Sequence, residues 1–174
     1  KELLLSLNKI KKEKKTNIPL LLKVSPDIED NNISQVTEVA IKNNISAMIL
    51  TNTTNGRRDG LLSETKNEDG GLSGEPLQEI STSMIKKFYK QLNGKIPIIG
   101  VGGINSGKSA YEKIIAGASL LQLYTGFVYK GPFIVKDIKK ELIQILKSEG
   151  IKNIKDAVGK SIWLTKFFKK RKIF

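Results

Sequence analysis

The chain has 174 residues, 39% of them hydrophobic and 27% charged, which suffices for one domain with a buried core. It contains neither Cys nor His, which excludes disulfides, thiolate zinc sites, Ser-His-Asp triads, Cys-His dyads and His-based metal sites. A net charge of +13 invites a nucleic-acid partner, but the excess sits at the ends (Lys9 to Lys15, Lys166 to Lys172) and on polar helix faces (Lys136, Lys139, Lys140, Lys147), so none is expected.

In chain order, the sequence opens on Lys1 rather than Met and passes directly into an amphipathic segment, Glu2 to Lys15, without the features of a secretory signal. The expectation is that residues precede Lys1. Ile18 to Val24 is a near-continuous apolar strand closed by Ser25-Pro26-Asp27. Ile33, Val36 and Ala40 mark a helix that stops near Asn43-Asn44. Ser46 to Thr51 reads as a second buried strand, followed by a polar, glycine-containing loop from Asn55 to Gly71. Leu77, Ile80, Met84 and Phe88 stripe the next helix, which ends at Asn93-Gly94. Ile96 to Val101 is the third strand, Lys108 to Ala116 a short helix and Ser119 to Tyr124 the fourth strand. A longer helix follows, with Ile134, Ile138, Leu142 and Ile145 on its buried side. No run of about 18 apolar residues occurs, so no membrane-spanning helix is expected.

Four strand-helix units with strands apolar on both faces require a parallel sheet covered by helices. The sheet is either an open doubly wound one or part of a (β/α)8 barrel. Each strand delivers polar or glycine residues at its C-terminal end: Lys23 and Ser25, Thr51 to Thr54, Gly102-Gly103, then Tyr124-Thr125-Gly126. Four strands presenting such groups at one rim point to a barrel mouth, and four units in 174 residues make half a barrel.

The third of these rims is ambiguous. Gly102 to Ser109 satisfies the P-loop pattern G-x-x-x-x-G-K-[ST], with a strand before it and a helix after it. A P-loop nucleotide site also needs an acidic residue ending a second strand to hold magnesium, and neither Met48 to Asn52 nor Leu120 to Tyr124 ends in Asp or Glu. The alternative uses backbone amides at Gly102-Gly103 and Tyr124-Thr125-Gly126 to bind an anion without any lysine. A third reading is that the glycines serve close packing alone.

Five segments together carry a resemblance: Lys23-Val24-Ser25-Pro26-Asp27, Thr51-Asn52-Thr53-Thr54, Gly70 to Leu77, Ile98 to Ile104, and Tyr124-Thr125-Gly126-Phe127. In this order and spacing they resemble the class 2, quinone-dependent dihydroorotate dehydrogenases. The resemblance covers residues 1–160, matching the C-terminal half of that enzyme, and leaves 161–174 as a basic tail outside it. It implies half of a (β/α)8 barrel binding flavin mononucleotide (FMN), which oxidises dihydroorotate to orotate in de novo pyrimidine synthesis and passes electrons to a quinone.

Carried over, the resemblance makes Lys23, Thr51, Gly74, Gly103, Tyr124 and Thr125 cofactor-binding, and Asn52 and Thr53 substrate-binding. Lys23 would stand beside the flavin ring, and Tyr124 with Thr125 at its phosphate end; Lys108 has no role and no metal is implied. The proton-abstracting base is implied to be a serine in a Ser-Pro-Asn segment upstream of Lys1, so no catalytic residue is assigned within the chain. Quinone access and peripheral attachment to the cytoplasmic face of the inner membrane are implied to reside in N-terminal helices outside this sequence. The alternative is a non-catalytic half-barrel, a split or decayed gene product, that binds an anion or phosphate only.

Overall fold

The computed structural model describes residues 2–56, 58 and 60–162. The expected basic tail, apart from Ser161 and Ile162, therefore lies outside the described residues. Helix α1 (Glu2–Glu13) precedes strand β1 (Leu21–Val24), followed by α2 (Ile33–Lys42), β2 (Ala47–Leu50), α3 (Gln78–Leu92), β3 (Ile98–Val101), α4 (Gly107–Ala116), β4 (Ala118–Gln122), α5 (Thr125–Lys130) and α6 (Ile134–Ser148). No helix among the described residues is long and apolar enough to cross a membrane.

All strand pairs are parallel, and the sheet order is β1-β2-β3-β4. A doubly wound sheet reverses its strand order at a switch point. Here the order is strictly sequential, with a helical crossover between neighbours, which is the arrangement of a (β/α)8 barrel arc. The chain folds as four consecutive units of such a barrel.

Register divides the strand residues between two faces, because side chains alternate along a strand. Leu22, Met48, Ile98 and Ala118 align on one face, and Met48, Ile98 and Ala118 are buried with Met84, Ile85 and Phe88 of α3. Lys23, Ile49, Ile99 and Leu120 align on the other. A second core joins Ala110 and Ile114 of α4 to Ile134, Ile138 and Leu142 of α6. The period of the apolar residues in α3 and α6 thus reports the buried side correctly, with Ile80 and Ile145 only partly buried at its margin.

The structure shortens all four expected strands, β2 to Ala47–Leu50 and β3 to Ile98–Val101 among them, and adds one helix. Pairing on β1 starts at Leu21 rather than Ile18, since Pro19 has no N–H to donate and Ile18 lies exposed. The last strand runs Ala118–Gln122 instead of Ser119 to Tyr124, because the chain turns at Leu123-Tyr124 into α5. With six residues, a glycine at its second position and Gly131 after it, α5 is too short to show helical periodicity.

Among the described residues, strands β1 and β4 each pair on one side only, and Leu21 and Leu120 on them are 43% and 63% exposed. Unpaired apolar edges recruit other strands. The 174-residue chain, expressed by itself, is expected to self-associate; a monomer by light scattering with a cooperative melt would contradict this.

Candidate functional site

The C-terminal ends of the four strands surround one cavity of about 730 Å³, within the size range of small-molecule sites. All eight residues singled out from the sequence line it: Lys23 from β1, Thr51, Asn52 and Thr53 after β2, Gly74 in the following loop, Gly103 after β3, and Tyr124 and Thr125 after β4. Thr51 is buried, whereas Lys23, Asn52, Thr53 and Tyr124 are exposed.

Local hydrogen bonds fix the segment after β2. Thr51 N–H donates to Val101 O (3.1 Å) and Asn52 N–H to Val24 O (2.9 Å), so this segment is anchored to both neighbouring strand ends. The Thr51 hydroxyl donates to Asn52 O (3.0 Å), and the Leu50–Thr51 peptide is cis. Asp27 accepts from Asn55 N–H (3.0 Å) and from the Thr54 hydroxyl, tying the turn after β1 to the turn after β2. The Asn52 and Thr53 side chains are thereby held at the rim by backbone rather than by packing.

The next loop returns to the cavity through an antiparallel bridge, Thr54 N–H to Leu72 O (3.1 Å) and Leu72 N–H to Thr54 O (2.8 Å). Arg58 gathers the loop by donating to the carbonyls of Lys66 (2.9 Å), Glu68 and Gly70. Beyond the bridge, Ser73 and Thr125 share a hydroxyl hydrogen bond (2.9 Å). Gly74 has φ +85°, and a Cβ there would stand 2.9 Å from Thr125 Cγ2, so this loop closes against the start of α5 only as glycine.

At the far end of the cavity lie the turns after β3 and β4. Among the described residues, no acceptor meets the backbone N–H groups of Gly102, Gly103, Thr125 or Gly126. Four free amides at two adjacent strand ends suit an anion. The P-loop reading fails on geometry. Lys108 is exposed and does not line the cavity. The Ser109 hydroxyl is buried and serves α4 itself, in a capping box with Ser106. The N–H of Gly107, at the N-terminus of α4, donates to the Glu141 carboxylate (2.5 Å), so an internal anion already occupies the place a phosphate would need.

Sequence reasoning missed Ser73, Asn105, Tyr129 and Lys130 among the lining residues. Lys130 Nζ donates to Asn105 O (2.9 Å), fastening α5 to the turn after β3. Tyr129 and Lys130 escaped notice because α5 itself was not foreseen.

The family model for dihydroorotate dehydrogenase matches residues 1–146. The chain belongs to the dihydroorotate dehydrogenase family. It is 46% identical over 147 residues to dihydroorotate dehydrogenase (quinone) of Azorhizobium caulinodans, an alignment covering 84% of this chain and 41% of that protein. It is 44% identical to the mitochondrial quinone enzyme of Arabidopsis thaliana, covering 81% and 31%. Among solved structures, Eimeria tenella DHODH in complex with ferulenol superposes with a TM-score of 0.79 at 42% identity, covering 82% of this chain and 38% of that one. The chain thus spans about two fifths of the length of such dihydroorotate dehydrogenases.

Proposed function

We propose that the protein takes part in flavin-dependent oxidation of dihydroorotate to orotate, with quinone as the electron acceptor. The carrying observation is that the eight residues assigned from five separate segments converge on one cavity at the C-terminal rim of a parallel sheet. The residues present fit FMN. Free amides at Gly102-Gly103 and Thr125-Gly126 suit its phosphate, and the Lys23 ammonium and the Thr51–Thr53 segment lie on the strands across the sheet. When bound, FMN supplies a two-electron acceptor.

In this reading Lys23 places a fixed cation where negative charge gathers on the reduced ring. Thr51, buried and hydrogen-bonded through both N–H and hydroxyl, shapes the wall beside it. Asn52 offers both a donor and an acceptor, and Thr53 a rotatable hydroxyl, to the amide and carboxylate edges of the pyrimidine. Gly74 and Gly103 let the backbone approach the cofactor, and Tyr124 with Thr125 closes the phosphate end. The proton-abstracting base is assigned to a serine outside this chain, as are quinone access and peripheral attachment to the inner membrane. Residues 1–160 form the barrel portion and 161–174 a basic tail in sequence.

The reading is tested by purifying the protein at its natural length and adding dihydroorotate anaerobically. Co-purified FMN that bleaches on addition supports it; protein that carries no flavin and leaves added FMN oxidised removes it. Asn52→Ala is expected to raise KM for dihydroorotate and slow flavin reduction by about 10- to 100-fold, because substrate polar groups lose their partner. Wild-type steady-state kinetics in that variant would take Asn52 out of the site.

A further inference from the structure

Lys113 is fully buried, at 0% exposure, on the face of α4 that packs against α3. Its ammonium meets three neutral oxygens: Thr82 Oγ1 at 3.0 Å, Ser81 Oγ at 3.1 Å and Gln78 O at 3.3 Å. Three N–H donors and three acceptors satisfy its hydrogen bonding completely. Its charge is another matter, because among the described residues no carboxylate lies within ion-pair distance. A buried charge without a counter-ion is costly. The two hydroxyls that accept from it donate elsewhere, Ser81 to Val101 O and Thr82 to Gln78 O.

The partners of Lys113 lead in one direction. Ser81 holds the carbonyl of Val101, the last residue of β3, and the Gly102-Gly103 turn follows at once. A Cβ on Gly102 would stand 3.1 Å from Ser81 Cβ, and one on Gly103 2.6 Å from Gln78 Cα. The turn therefore rests directly on two of the three α3 residues that Lys113 binds, Gln78 and Ser81. Both glycines line the cavity, their amides meet no acceptor among the described residues, and the Val101 carbonyl before them is one hydroxyl removed from a buried ammonium that has no ion-pair partner.

We propose that Lys113 is a positioning residue of the anion site: through Ser81 and Gln78 it fixes the Gly102-Gly103 turn, and its buried charge supplies the positive potential behind those amides, so that a phosphomonoester bound there is its counter-ion. The inference rests on the flavin reading above and identifies which group makes the cavity prefer the phosphorylated cofactor.

Burial pushes the Lys113 ammonium down to about 8, opposed by the field of Glu112 beside it on α4. Glu112 is the one charged group that acts on it among the described residues; none on α3, α6 or β4 contributes. The sign follows from linkage. An anion on the turn favours protonated Lys113, so anion affinity is full below about pH 8 and falls as pH rises through that value. A phosphomonoester has its second pKa near about 6 and stays dianionic throughout this range.

The test compares FMN with riboflavin, the same ring without phosphate, by fluorescence quenching on apoprotein of natural length between pH 7 and 9.5. In the wild type, FMN is expected to bind more tightly than riboflavin, with the ratio falling at least fivefold as pH passes 8. In Lys113→Met, the ratio at pH 7 is expected to drop about tenfold and lose its pH step, while riboflavin affinity changes less than twofold and the melting temperature is unchanged or higher. A variant that keeps the wild-type ratio and pH step overturns the inference, as does one that loses both flavins equally, which marks a purely structural role. Should the variant fail to fold, the wild-type pH series decides: a flat FMN-to-riboflavin ratio overturns the inference. Wild-type protein that binds neither flavin overturns the flavin reading and this inference with it.

Discussion

Replacing Lys23 with alanine is expected to slow reduction of bound FMN by dihydroorotate by about 10²- to 10³-fold while leaving flavin content close to wild type. Lys23 is the third residue of β1, and register sets it beside Ile49 on the sheet face that carries no helix-core residues. An isolated lysine between Leu22 and Val24 in a four-residue strand would ordinarily pair with an acid at the surface. Among the described residues it has none, and it lines the cavity. A cation held on a strand, with no partner of its own, contributes differentially as negative charge builds on the ring. Removing one preorganised group of this kind costs about 3–4 kcal/mol. Anaerobic stopped-flow that follows the absorbance of the oxidised flavin measures the step directly. An unchanged rate removes Lys23 from the mechanism, whereas loss of flavin itself assigns it to binding.

The fold was legible because its signals are local. β2 reads as a buried strand since Ala47, Met48 and Leu50 are covered on both faces, and α3 reads as a helix since Met84, Phe88 and Leu92 recur on one side. The site was legible for a related reason: each apolar run ends abruptly in polar residues or glycine, and parallel pairing brings those four endings to one rim. What could not be read depends on contacts between distant segments. Whether Gly102 to Ser109 grips a nucleotide is decided by Glu141, 34 residues further on, and by the Ser106–Ser109 cap. The loop from Asn55 to Gly71 looked merely polar, yet Arg58 and the Thr54–Leu72 bridge give it a defined path over the cavity. Lys113 was passed over because a lysine in an amphipathic helix normally lies in water; only the close approach of α3 buries it.

Two substitutions within the same eight-residue motif are expected to have opposite consequences. Gly103 has φ +72°, and a Cβ there would lie 2.5 Å from Gln78 Cβ, 2.6 Å from its Cα and 2.7 Å from its backbone N. Those atoms belong to the first turn of α3, whose buried side carries Ser81, Met84 and Ile85, so they cannot yield without moving the core. Gly103→Ala therefore displaces the turn itself, adding positive-φ strain to steric overlap, and should destabilise the protein by about 2–4 kcal/mol. FMN content should fall at least tenfold, because the amides lose their alignment toward the phosphate. Lys108→Ala, by contrast, removes an exposed side chain that does not line the cavity, so FMN content and melting temperature should stay within error of wild type. A P-loop demands the reverse, with the lysine indispensable to phosphate binding. Measuring FMN stoichiometry and thermal melts of both variants side by side separates the two accounts. Nucleotide triphosphate binding that is abolished by Lys108→Ala would return the nucleotide reading to the site.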